Sequence, residues 1–121
     1  MAPENGIIDL SILRKITADD KEKMNYYIGL YLKTAPDFIK GIEDAIFRMN
    51  RDELYSKAHS LKPMTSYVGI VGLSDCLGEI EKAAKEKGER NILEKLVKKA
   101  IEFNKRGTAE LKTYIESSKV I

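Results

Sequence analysis

Apolar residues recur at three- and four-residue spacing along most of the chain, which is the spacing that lines up one face of an α-helix. Leu10, Leu13 and Ile16 begin the series with Ile12 beside them, and Met24, Ile28, Tyr31 and Leu32 form a second stripe with Tyr27 at its edge. Phe38, Ile39, Ile42, Ala45, Ile46 and Met49 carry a third, and Leu54, Ala58, Leu61, Thr65 and Val68 a fourth. Leu77, Ile80 and Ala84 follow, then Ile92, Leu96, Ala100, Phe103, Gly107, Leu111, Tyr114 and Ile115. No strand-like alternation or internal repeat interrupts them. The pattern predicts an all-α protein, an antiparallel up-and-down four-helix bundle with a short extra N-terminal helix.

Stop and start signals set the expected boundaries. Asp9 or Ser11 suits the cap of the short helix, and the acidic run 19–22 suits the first turn of the next. Pro36 marks a break or a kink, leaving one helix or two open. Asp52 is the expected cap of the fourth stripe, Gly72 or Ser74 of the fifth, and Asn91 of the last, with Gly88 as a stop. Gly78, inside the fifth, predicts a close helix contact. Ile70 and Val71 are expected to pack beneath the turn before it.

A chain of 121 residues predicts one domain spanning 1–121, with 1–8 an extended lead-in and 117–121 fraying. The formal charge of +2 is too balanced to argue for nucleic acid or a membrane surface. No apolar run approaches a membrane span, the start lacks a secretory signal, and a single cysteine fits a reducing, cytoplasmic setting. A monomer is expected.

Chemistry concentrates at the one histidine, His59. Tyr55, His59, Lys62 and Ser66 make a second stripe on the fourth helix, turned away from the apolar one, so the ring faces off the core with an ammonium one turn on. A surface histidine without a task is the plain reading. A metal site is disfavoured because imidazole ligands cluster and no second histidine exists. A nucleophile is the third reading, since an imidazole titrating near about pH 6.5 is largely neutral in the cytoplasm.

The stretch Ala-His-Ser-Leu-Lys-Pro, with Val68 and Gly69 beyond it, resembles the signature of histidine-containing phosphotransfer (HPt) domains of two-component phosphorelays. Ala58, His59, Leu61, Lys62, Val68 and Gly69 match that signature, and Leu73, Leu77 and Glu81 continue it. The resemblance implies that His59 accepts a phosphoryl group from a receiver-domain aspartate or a histidine kinase and passes it to another receiver. It implies that Lys62 stabilises the phosphoryl group. Tyr55, Pro63, Ser66 and Gly69 would line the partner contact. The implied partners are response-regulator receiver domains and a hybrid histidine kinase. The chain would need no cofactor of its own, Mg²⁺ coming with the receiver, and would have no autonomous catalytic activity. The match departs at Pro63, where the family has glycine, and at Met64. Proline removes the N–H that would bond the His59 carbonyl, so a bend is expected there. The alternatives are a phosphorylation-incompetent helical adaptor that binds a receiver or other signalling protein, and a fragment of a chemotaxis-type kinase.

Overall fold

Asp20 accepts a hydrogen bond from the Lys23 N–H, and Asn50 accepts one from the Glu53 N–H. These two caps begin the long antiparallel pair on which the site is built. The structure, a computed structural model, describes the backbone of residues 7–119 and the side chains of residues 7–117. The helices are α1 (Ser11–Ile16), α2 (Lys21–Phe47), α3 (Arg51–Val68), α4 (Leu73–Lys85) and α5 (Arg90–Lys119). α2 packs on α3, α3 on α4, α4 on α5, and α5 back on α2, closing a four-helix bundle, while α1 lies against α3.

The four long helices turn apolar faces inward, whereas α1 buries Leu13 and leaves Ile12 and Ile16 exposed, because only one side of so short a helix meets α3. Tyr31, Ile28, Ile42, Leu54, Leu61, Leu77, Ile80 and Leu93 are fully buried in the shared core. The Tyr31 hydroxyl donates to Asn104 Oδ1 on α5, which satisfies the phenol's polar end, and burial pushes its pKa up. The connections reverse tightly. After α2 and after α4 the left-handed position falls on Met49 and Lys87, and the following N–H groups return to Ala45 O (2.9 Å) and Ala83 O (2.7 Å). These bonds satisfy carbonyls that a helix end leaves free. The Arg51 guanidinium donates to Gly88 O at 3.1 and 2.8 Å, tying the start of α3 to the end of α4.

The N-terminal strap fixes the other end of α3. Asp9 N–H donates to Gly69 O (2.7 Å), Val71 N–H to Ile7 O (2.6 Å), and Ile8 pairs with Ile70 in an isolated antiparallel bridge. Glu110 on α5 accepts from the N–H groups of Ile7 and Ile8. Gly69 sits at φ 66°, and a Cβ there would fall 1.7 Å from the Asp9 carbonyl oxygen. Only glycine fits both demands.

Several boundaries differ from the periodic reading. α2 is a single helix with Pro36 inside it, because packing on α3 and α5 outweighs the one hydrogen bond proline removes. α3 likewise runs through Pro63 without a break. Asn50 caps α3 in place of Asp52, which stands in the first turn. α5 opens at Arg90 and buries Leu93 and Val97, leaving Ile92 exposed, since the buried positions lie seven and three residues before Ala100. Val71 is exposed, while Ile70 alone packs beneath the turn. Gly78 meets the Lys62 side chain, not another backbone. Of the expected lead-in, residues 1–6 lie outside the described residues. Of the expected fraying tail, 117–119 continue α5 and 120–121 lie outside.

Candidate functional site

His59 stands midway along α3, one residue after buried Ala58 and two before buried Leu61, so the core sets the helix rotation and directs the ring outward. Its side chain is 64% exposed. Tyr55, one turn earlier, stacks on the imidazole with ring centroids 5.8 Å apart and planes 6° from parallel. The flat contact restricts ring tilt without covering the outer edge.

The opposite edge is held from α4. Glu81 places Oε2 2.9 Å from His59 Nδ1 and Oε1 3.0 Å from Lys62 Nζ, and its side chain is only 11% exposed. The lysine contact is an ion pair without hydrogen-bond alignment, for Oε1 has no aligned donor. Burial alone would raise the Glu81 pKa, but the hydrogen bond from His59 and the Lys62 ammonium outweigh it and hold the carboxyl below its usual value. Glu81 is therefore an ionised carboxylate, which can only accept. In the neutral form of the ring Nδ1 then carries the proton, and the Nε2 lone pair faces solvent. The arrangement fixes one ring nitrogen and leaves the other exposed.

The sequence resemblance took in Glu81 as part of the following helix and gave it no role at the site. The signal was present: Leu77 and Glu81 are four apart on the apolar face of α4, and an acid on a buried stripe needs a partner. Lys62, 39% exposed, is tethered to that acid beside the ring. Pro63 is exposed one turn beyond His59. Ser66 lies farther along α3, about 10 Å by helical rise, where its hydroxyl shares a 3.0 Å hydrogen bond with that of Ser74. Gly69 is occupied by the Asp9 backbone and so serves the strap. His59, Lys62 and Tyr55 thus form one cluster, and Ser66 and Gly69 stand apart from it. Among the described residues no group of three His, Cys, Asp or Glu side chains is placed to hold a metal ion.

A family model described as the Hpt domain matches residues 27–119. Two solved structures share the fold. One is histidine-containing phosphotransfer protein B from Pseudomonas aeruginosa PAO1, with a TM-score of 0.83 and 17% identity over 94% of this chain and 98% of that one. The other is the HPT domain of a sensor hybrid histidine kinase from Shewanella, with a TM-score of 0.81 and 15% identity over 92% and 95%. No curated protein matches the sequence.

Proposed function

The chain belongs to the Hpt domain family, a phosphorelay phosphotransfer protein of two-component signalling, and from that premise we propose that His59 is its phosphoacceptor. The observation that carries this reading is the Glu81 contact, which occupies Nδ1 and leaves Nε2 free on the surface. In the forward step the Nε2 lone pair attacks the phosphorus of a receiver's aspartyl phosphate. An N–P bond forms, the P–O bond to the aspartate breaks, and the carboxylate leaves with its electron pair. The ring gains positive character as the bond forms, and ionised Glu81 across Nδ1–H stabilises it. The return step hands the group to another receiver aspartate by the same geometry reversed.

This chain positions; it does not catalyse alone. Transfer of this kind needs in-line placement and charge stabilisation. Tyr55 limits ring tilt, Glu81 sets the tautomer, and Lys62 supplies a cation beside the transferring group. Mg²⁺ would be held by the receiver partner and would supply charge neutralisation for the phosphoryl group. A histidine kinase is the alternative donor. We place the chain in the cytoplasm as a monomer; no helix among the described residues is long and apolar enough to cross a membrane.

Incubation with a phosphorylated receiver domain tests the proposal. The wild-type chain should acquire an acid-labile, base-stable label, and His59→Gln should acquire none while keeping its helical content. Equal labelling of the two removes His59 from the reaction. The adaptor reading rests on Pro63, exposed where the family signature has glycine. A chain that binds the receiver yet takes no label would support it.

A further inference from the structure

Charge is unevenly placed along the chain. Residues 95–106 of α5 hold five cations, Lys95, Lys98, Lys99, Lys105 and Arg106, against one acid, Glu102. That net +4 belongs to a chain of formal charge +2, so the remaining residues sum to −2. All six side chains are exposed, and among the described residues none of them joins an ion pair. Lys95 and Lys99 stand one turn apart and repel, which weakens the helix unless an anion lies against them.

Lys95, Lys98, Lys99, Glu102 and Arg106 wall a groove of about 440 Å³ beside Phe103. The half-buried Phe103 ring has the Lys99 ammonium over its face, 6.0 Å from the centroid. Lysine stems and this ring give the groove an apolar floor beneath a cationic rim.

We propose that this face of α5 docks an acidic amphipathic helix of a protein partner, apart from the surface around His59. Three features lead there. The first is spacing. Lys95, Lys99, Glu102 and Arg106 follow at intervals of four, three and four residues, a row of about 16 Å along the axis. A helix laid alongside for three turns presents its carboxylates at the same interval. The second is the floor, which calls for an aliphatic side chain among those acids to cover Phe103. The third is position. Leu93, Ala100 and Leu111 are buried on the opposite side of α5, which packs on α2 and α4, so the row points away from the bundle. His59 stands on α3, and an occupant of this face leaves it uncovered. Other polyanions fit less well. A phosphate backbone following the row meets Glu102 in its middle, and residues 95–106 expose no large apolar side chain for a bilayer to take up.

The test measures fluorescence anisotropy of a labelled synthetic helix of about five turns, with glutamates at four-residue spacing and leucines beside them, on the full chain. Binding should weaken about tenfold or more between about 50 and about 300 mM salt. Lys95→Glu combined with Lys99→Glu should weaken it by about the same factor, and Glu102→Lys should tighten it about threefold. Lys33→Glu combined with Lys40→Glu, an exposed pair on α2 with the same change in net charge, should leave it within about twofold. Replacing the peptide's leucines by alanine should cost about tenfold, as for a lost interface anchor. Peptide-induced amide shifts should fall on α5 and leave the His59 ring unmoved. Circular dichroism confirms helical content in every variant. A wild type that does not bind the peptide, or equal weakening by the α2 pair, overturns the proposal. Tighter binding to duplex DNA or to phosphatidylglycerol vesicles than to the peptide overturns it too, and assigns the row to that polyanion. Shifts centred on α3 do the same by placing the peptide elsewhere.

Discussion

Replacing Glu81 by glutamine preserves side-chain shape and removes the charge that orders the site. In the wild type the carboxylate is 2.9 Å from Nδ1, nearly out of solvent, and held ionised by His59 and Lys62. A hydrogen bond to a charged group contributes about 1.5–3 kcal/mol net. That bond strengthens as the ring becomes cationic, so its loss falls mainly on the transition state. At about 1.4 kcal/mol per factor of ten, Glu81→Gln should slow phosphoryl transfer to His59 roughly ten- to hundredfold. Glutamine can either donate to or accept from Nδ1, so the tautomer is no longer fixed. Two measurements are needed. Rapid-quench labelling from a phosphorylated receiver gives the rate, and ¹⁵N chemical shifts of the imidazole give the tautomer. A variant with wild-type rate and an unchanged Nδ1–H tautomer refutes the reasoning.

Three further outcomes follow from the same geometry. The folded-state pKa of Glu81 is depressed from its ordinary 4.5, so its contribution to stability is full above that value and lost as pH falls through the lower folded value. Thermal melts between pH 6 and pH 3 should therefore show a steeper loss for wild type than for Glu81→Gln; parallel curves contradict the assignment. Lys62→Ala should slow transfer by about fivefold without abolishing it, because the cation is partly solvated and screened. Abolition, or no change, in the quench assay counts against that role. Gly69→Ala forces a Cβ against the Asp9 carbonyl at a left-handed φ and should cost at least about 2 kcal/mol, lowering Tm by about 8 °C; a shift under 2 °C would show that the strap yields.

Periodicity carried most of the bundle because each stripe has one buried face. It failed where two adjacent positions were both apolar. Ile92–Leu93 and Leu96–Val97 offer two registers, and only contact with α4 and α2 selects the second. Pro36 and Pro63 are local vetoes on helix formation, overridden when both flanking turns are packed. Asn50 and Asp52 are both good caps, and the choice depends on where the reversal after Met49 finishes. At the site, the outward turn of His59 was legible from Ala58 and Leu61 on the inward stripe. The tie to Glu81 was not, because it joins residues 22 positions apart on two helices whose relative rotation is set by the core. Gly69 shows the converse: its place in a motif suggested a partner surface, and the strap that occupies it comes from the other end of the chain.

The account stands most directly on which nitrogen of which residue receives the phosphorus. Two-dimensional ³¹P and ¹⁵N spectroscopy of the chain, labelled by a phosphorylated receiver and kept above pH 8, locates the N–P bond. The expected result is a single phosphorus coupled to Nε2 of His59, with none on Nδ1. Phosphorus on Nδ1, or on any other side chain, contradicts it.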